Sequence, residues 1–144
     1  MTTYFEDLTV GETDEFGTYD VTEEEIVEFA GQYDPQPFHT DPEEAAETIY
    51  GGLIASGWHT CAMTMRLLVD GHFDDSAAMG ARGVEELRFP RPVRPGDSLS
   101  VRTEILEKTV DSADRGTARV RSETVTENDE LVLSMTSEVM YARR

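Results

Sequence analysis

The sequence lacks several features on which whole classes of protein depend. Cys61 is the only cysteine, so no disulfide can form within the chain. No apolar run approaches the roughly 18 residues of a transmembrane helix. The segment Met1–Asp7 has neither the basic nor the apolar stretch of a signal peptide. No histidine, cysteine or carboxylate residues have the spacing of a metal site. We therefore expect a cytoplasmic protein with no membrane partner and no bound metal.

Basic residues are also scarce. Lys108 is the only lysine, the other basic residues are arginines, and 30 acidic residues give a net charge of −18. Residues 1–65 contain no lysine or arginine at all. This charge excludes nucleic acid as a partner, because phosphate binding needs a basic surface. Such a composition resembles that of proteins from salt-accumulating haloarchaea, where salt screens the self-repulsion. A mesophilic protein that is simply acidic is the alternative.

Three helices are predicted in the first half of the chain. A capping box at Thr22–Glu25 begins an amphipathic helix over residues 22–32. Asp41 and Pro42 begin a short helix that ends near Ile49. The third and longest helix covers residues 56–69.

The third helix is the most apolar of the three. Trp58, Cys61, Met65, Leu68 and Val69 recur at helical spacing along it. We predict that this face packs inward and that the helix is the buried centre of the domain.

After Gly80 the apolar residues recur with a period of two, which predicts strands. A turn signal at Asn128–Glu130 separates the last two strands as a hairpin. The predicted strands lie within 84–89, 99–105, 117–126 and 131–141. One helix followed by long antiparallel strands predicts an α+β domain, with residues 1–144 forming a single sheet wrapped around the central helix.

The segment Asp34–His39 carries the strongest sign of chemistry. Asp34 and His39 lie five positions apart, and Pro35 and Pro37 between them predict a stiff, irregular connection rather than an ordinary helix. An unperturbed imidazole titrates near neutral pH, so His39 is the natural proton carrier. We predict that the two side chains form a catalytic pair. The alternative is that Asp34 begins a turn and His39 only packs.

This segment resembles the Asp-x-Asn-Pro-x-His signature of the MaoC-like acyl dehydratases and (R)-specific enoyl-CoA hydratases, with Gln36 in place of the asparagine. Residues 38–45, 51–60 and 88–97 are similar to further blocks of that family in the same order, and the resemblance covers residues 10–141. It implies a hotdog fold, a curved antiparallel sheet around one long helix. It also implies reversible hydration of an α,β-unsaturated acyl-CoA without metal or redox cofactor, by a homodimer or higher homo-oligomer.

The resemblance also implies roles for individual residues. Asp34 and His39 orient and deprotonate the water, and the backbone amide of Gly57 stabilises the thioester oxygen. The alternative for Gly57 is that it only permits close packing beneath Trp58. Gln36 and Ser56, which stands where the hydratases commonly have histidine, are predicted to contact the substrate.

Arginines near the third block are candidates for binding the coenzyme A phosphates. We predict this role for Arg91 and Arg94, within a basic cluster that also contains Arg82 and Arg88, with Arg66 as a further candidate. The alternative is that these side chains pair with surface carboxylates.

The remaining reactive side chains have ordinary expectations. His59 is predicted to be a hydrogen-bonded core histidine rather than a catalyst, and His72 to lie solvated in a polar loop. Cys61 has no basic neighbour in its helix and is a poor nucleophile.

Two other functions compete with hydration. A hotdog thioesterase typically uses a carboxylate on the central helix, and residues 56–69 contain none. A non-catalytic subunit that binds an acyl thioester or scaffolds a partner enzyme is favoured by the two departures at Gln36 and Ser56.

Overall fold

The computed structural model describes residues 1–144, and its elements follow the order predicted from the sequence, with one additional strand and one additional short helix. A 3-10 turn at Phe5–Asp7 precedes the first strand, and a π-helical turn at Val69–Phe73 follows the longest helix. No helix is long and apolar enough to cross a membrane. The strands and helices are β1 (Thr13–Asp20), α1 (Glu23–Tyr33), α2 (Pro37–Thr40), α3 (Pro42–Ala46), α4 (Gly57–Leu68), β2 (Ala78–Arg88), β3 (Ser98–Val110), β4 (Arg115–Thr126) and β5 (Leu131–Ala142).

The five strands form one antiparallel sheet in the order β1-β3-β4-β5-β2. Consecutive hairpins join β3 to β4 and β4 to β5. The second hairpin turns at Asp129, which has φ 61° and lies between hydrogen bonds that connect Thr126 with Asp129 and Glu130. The sheet curves around α4, so the predicted α+β class and the hotdog arrangement are confirmed.

The edge strand β1 was not predicted. It pairs with β3, but its register shifts between Phe16 and Tyr19. Gly17 lies in that interval with φ 87°, a conformation that glycine adopts without a steric cost. The resulting bulge breaks the alternation of apolar and polar residues, and with it the pattern by which a strand is recognised.

The predicted inward face of α4 is largely wrong for the single chain. Trp58 is 65% exposed and Met65 is 47% exposed, whereas Met63 and Leu67 are buried against the sheet. Leu68 is buried as predicted. The helix has two apolar faces, and the sheet covers only one of them. We call the other side the α4 groove. It has a volume of about 640 Å³, and β2, β4 and β5 form its opposite wall.

The short helix α3 ends earlier than predicted. The carboxylate of Asp41 accepts hydrogen bonds from the backbone amides of Glu43 and Glu44, as expected of an N-cap. The helix stops at Ala46, where the Thr48 hydroxyl bonds the carbonyl of Ala45. Ile49 consequently lies outside the helix and is 94% exposed.

A small second core closes the far end of the sheet. The buried Phe5 ring lies on Gly116 of β4 and beside Lys108 of β3. The Lys108 Nζ donates to the carbonyl of Leu8 at 2.7 Å and lies 4.5 Å from the Phe5 ring centroid.

The prediction that His72 is solvated is wrong. The π-helical turn after α4 directs this side chain back towards the sheet, where its Nε2 lies 2.7 Å from the hydroxyl oxygen of buried Tyr141. Partial burial lowers the pKa of His72, and the carboxylates of Asp14 and Glu12 oppose that shift.

Candidate active site

The segment Asp34–His39 connects two helices, and part of it is itself helical. Asp34 is the C-cap of α1, and Pro37 is the first residue of the one-turn helix α2 that carries His39. The expectation of an irregular connection is therefore wrong for residues 37–40. Proline is well suited to the first position of a helix because no intrahelical partner is needed there for its missing N–H.

His39 is buried and held in one orientation by the backbone. Its Nδ1 lies 2.8 Å from the carbonyl oxygen of Ile54, and a carbonyl can only accept, so Nδ1 carries a proton and donates it. The opposite ring nitrogen, Nε2, lies 3.3 Å from Oδ2 of Asp34. Nε2 is therefore the ring nitrogen that faces the carboxylate and that can gain or lose a proton. The Ile54 carbonyl is a backbone group 15 residues away, and nothing in the sequence marks it.

The Asp34 carboxylate accepts one hydrogen bond on each oxygen from residues beside it. The Ser56 hydroxyl donates to Oδ2 at 2.7 Å, and the Gln36 side-chain amide donates to Oδ1 at 2.6 Å. These two bonds, first Ser56 and then Gln36, lower the pKa of Asp34, with a smaller contribution from the charge of His39. The carboxylate consequently stays ionised at neutral pH. Both residues predicted to contact the substrate lie against Asp34.

Gly57 is the first residue of α4, directly after the N-cap Ser56. Its backbone N–H donates to no protein group and belongs to the positive end of the helix dipole. A Cβ at this position would lie 2.8 Å from Cζ of Phe89, so glycine also permits a close approach of that ring. The packing alternative therefore has a real basis, with Phe89 rather than Trp58 as the neighbour.

One cavity of about 320 Å³ brings His39, Gly57 and Arg91 together. The other side chains of its wall are mostly apolar or aromatic and include Phe38, Tyr50, Ile54, Phe89, Pro90 and Val132. An apolar wall with a few convergent polar groups is typical of a small-molecule site.

The arginines fall into two groups. Arg91 pairs with Glu130 at 3.1 Å, Arg82 with Asp111 at 3.3 Å and Arg66 with Asp70 at 2.9 Å, which is the alternative foreseen for them. Arg88 and Arg94 form no salt bridge. The Arg94 guanidinium lies over the loop before α4, with Nη1 3.7 Å from the position of a Cβ on Gly52.

A second acid–imidazole pair lies outside this cavity. The Nε2 atom of His59 is 3.0 Å from Oε1 of Glu25, and its ring stacks on Phe29 with centroids 4.6 Å apart. The Tyr19 hydroxyl donates to the same carboxylate oxygen. His59 thus fastens α1 and β1 to α4, in agreement with a core role.

Two further features concern possible metal ligands and the single thiol. No group of three or more histidine, cysteine or acidic side chains is placed to hold a metal ion. Burial raises the pKa of the Cys61 thiol, which keeps it protonated and unreactive.

Comparison with known proteins places these features in a family. Residues 7–128 match the family described as MaoC like domain. The 3-hydroxybutyryl-CoA dehydratase of Methylorubrum extorquens is 33% identical over 108 residues, which span 72% of this chain and 64% of that protein. The chain therefore matches less than two thirds of that relative's length.

Two solved structures extend the similarity to the whole fold. A MaoC-like dehydratase from Rhodospirillum rubrum is 40% identical, with a TM-score of 0.89 over 98% of this chain and 97% of that one. The unliganded R-hydratase of Pseudomonas aeruginosa is 26% identical, with a TM-score of 0.79 over 99% of this chain and 88% of that one.

Proposed function

Because the chain belongs to the family of MaoC-like domains, we propose that it catalyses the reversible hydration of an α,β-unsaturated acyl-CoA. It would act as an enoyl-CoA hydratase or, in reverse, as a 3-hydroxyacyl-CoA dehydratase. The observation that carries this proposal is the pairing of Asp34 with Nε2 of His39. His39 lines the same cavity as Gly57, whose backbone N–H has no protein partner.

Each group has a defined part in this reaction. Water bridges Asp34 Oδ2 and His39 Nε2, and Nε2 takes a proton as the water oxygen adds to Cβ. The negative charge that develops on the thioester oxygen is stabilised by the Gly57 N–H. Protonation of Cα by the imidazolium completes the addition, and dehydration follows the same steps in reverse.

The alternative functions fit the site less well. A thioesterase that uses a carboxylate on the central helix finds no acid in α4. A non-catalytic subunit was favoured by Gln36 and Ser56, but both side chains support Asp34 and leave the acid–imidazole pair intact.

We also propose that the working unit is a homodimer in which a second copy covers the α4 groove. Trp58 and Met65 on one wall, with Val84 on the other, remain substantially exposed in the single chain. Contiguous apolar surface of this size marks an interaction site. In a dimer with two-fold symmetry, the α4 groove of each copy can pack against the same surface of the other copy.

The test is hydration of crotonyl-CoA by purified protein in concentrated KCl, followed by loss of the ultraviolet absorbance of the conjugated enoyl thioester. His39→Ala and Asp34→Asn are each expected to lower kcat/KM by about 100-fold or more, because general acid–base catalysis contributes roughly 10²–10⁴-fold. His59→Gln is the matched control, because this imidazole pairs with the Glu25 carboxylate outside both the cavity and the α4 groove, and it is expected to retain activity.

Two further measurements distinguish hydration from the alternative functions. Free thiol in place of hydration would indicate a thioesterase, and acyl-CoA binding without turnover would indicate a binding subunit. Undiminished hydration by folded His39→Ala, with circular dichroism equal to that of the wild type, would contradict the proposal.

A further inference from the structure

We infer that Gln36 and Ser56 are positioning residues that keep the Asp34 carboxylate an unprotonated acceptor and thereby make His39 the only proton carrier of the reaction. This inference rests on the proposed hydration. It assigns the two residues a role different from the substrate contact that their positions in the sequence suggested.

The Ser56 hydroxyl uses its one donor on Asp34 and is buried away from the cavity. Its hydroxyl proton goes to Asp34 Oδ2 at 2.7 Å, while the same oxygen accepts the backbone N–H of Trp58 at 3.3 Å. The residue is 1% exposed, so the hydroxyl is not available to a ligand in the cavity. Ser56 therefore ties the carboxylate to the amino terminus of α4, next to the Gly57 amide.

Gln36 completes the arrangement from the other side. It is the N-cap residue of α2, yet its side chain makes no capping bond and turns back to Asp34 Oδ1 at 2.6 Å. Glutamine is one methylene longer than the asparagine of the signature, which gives it this reach. Each carboxylate oxygen therefore has its own neutral donor.

Few charges act on Asp34 from the elements around it. His39 of α2 is the only titratable side chain in hydrogen-bonding or ion-pair contact with it. The contacting side chain at the start of α4 is the neutral Ser56, and the last turn of α1 contributes no ion pair. The donors that lower the pKa of Asp34 are thus neutral groups, and their effect does not depend on the protonation of His39.

The proton path follows from this arrangement. In hydration, an O–H bond of water breaks and its proton moves to His39 Nε2 as the oxygen bonds to Cβ. The N–H bond on Nε2 then breaks as that proton moves to Cα, and His39 returns to its starting tautomer. Asp34 is ionised throughout and stabilises the imidazolium between the two transfers.

The experiment compares pH profiles of kcat/KM for wild type, Gln36→Met and Ser56→Ala with crotonyl-CoA. Gln36→Met keeps the length of the side chain but removes the donor, and Ser56→Thr serves as the conservative variant that restores it. We expect one ionisation on the acid side for wild type and a second one in the two donor-deleted variants. At the acid end of the pH profile, kcat/KM of Gln36→Met and Ser56→Ala is expected to be lower than that of wild type by about tenfold or more. At the alkaline end, it is expected to stay within about twofold of wild type.

A second measurement is independent of catalysis. Titration of the carboxyl carbon of Asp34 by NMR is expected to show a higher pKa in Gln36→Met and Ser56→Ala than in wild type. A wild type without hydratase activity would contradict the proposed function, while the titration would still test the two donors. If Ser56→Ala does not fold after losing its N-cap, Gln36→Met alone decides the question.

Two outcomes would overturn the inference. One is an acid limb and an Asp34 titration that are unchanged in folded Gln36→Met. The other is a KM that is raised at every pH while the acid limb of the pH profile stays in place. That result would support the substrate contact predicted from the sequence.

Discussion

Arg91 and Arg94 lie three residues apart on the loop after β2, and only one of them is neutralised. Arg91 pairs with Glu130, whereas Arg94 forms no salt bridge and lies over the loop before α4. The proposed coenzyme A substrate would bring several phosphate charges to a chain of net charge −18. Of the two arginines, the unpaired Arg94 guanidinium is the one free to receive them.

Arg94→Ala is expected to raise KM for a CoA thioester by about tenfold or more, since a hydrogen bond to a charged group contributes roughly 1.5–3 kcal/mol. KM for the corresponding pantetheine thioester, which lacks the nucleotide, is expected to stay the same. Arg91→Ala is expected to have the smaller effect. Arg115→Ala is the matched control, because Arg115 also lacks a salt bridge but begins β4 and does not lie over the loop before α4.

Equal changes in KM for the two thioesters would contradict a role of Arg94 in binding the nucleotide end. The measurement belongs at the lowest salt concentration that keeps the protein folded, because screening weakens the effect at higher concentrations.

The sequence predicted the pairing of Asp34 with His39 because two prolines restrict the chain between them. It could not predict what surrounds the pair. The orientation of His39 depends on a backbone carbonyl, and the surroundings of Asp34 depend on Ser56, which lies 22 residues further along the chain. Such contacts follow from how α1, α2 and α4 pack, and no local pattern encodes them.

At the scale of elements, the periodicity of apolar residues predicted most strands and helices. It could not predict which face of an element packs against which neighbour. The helix α4 is apolar on two sides, so its pattern alone could not show which side meets the sheet. The strand β1 was missed because the bulge at Gly17 interrupts its alternation. Both failures occur where tertiary contacts, rather than local preference, decide the outcome.

The packing of Phe5 on β4 gives a prediction at this scale. In Gly116→Ala, a Cβ would lie 2.6 Å from Cζ of the buried Phe5 ring, so the ring or the strand must move. Overpacking of this kind costs about 1–3 kcal/mol, and we expect a correspondingly lower melting temperature. The matched variant is Gly83→Ala on β2, where an added Cβ meets nothing within 4 Å.

Thermal unfolding followed by circular dichroism checks this expectation. Equal melting temperatures for Gly116→Ala and Gly83→Ala would contradict it, because they would show that the turn carrying Phe5 moves to accommodate the added methyl without loss of stability.

At the scale of the whole molecule, charge and apolar surface act against each other. Two copies that pair through the α4 groove bring together chains of net charge −18 each. Their repulsion is long-ranged in dilute buffer and nearly absent when salt shortens the Debye length to about 3 Å at 1 M. The apolar contact itself is not weakened by salt.

We therefore expect the dimer fraction, measured by sedimentation velocity, to rise with KCl concentration. Met65→Glu is expected to keep the chain monomeric at every salt concentration, because it would bury an unpaired charge in the interface. Ile49→Glu is the control, since Ile49 is also exposed but lies outside the groove. A wild type that stays monomeric at all salt concentrations, or a Met65→Glu variant that still pairs, would contradict the proposed interface.

Because the chain has a single lysine, the chemical reactivity of that side chain can be used to measure local opening of the structure around it. Lys108 supplies the only side-chain amine, and that amine is held between the Leu8 carbonyl and the Phe5 ring. An acylating reagent needs a free amine, so Nζ has to leave both partners before it reacts. The rate at which this one side chain is acylated therefore reports how often the Lys108 amine separates from residues 5–8, without any engineered label.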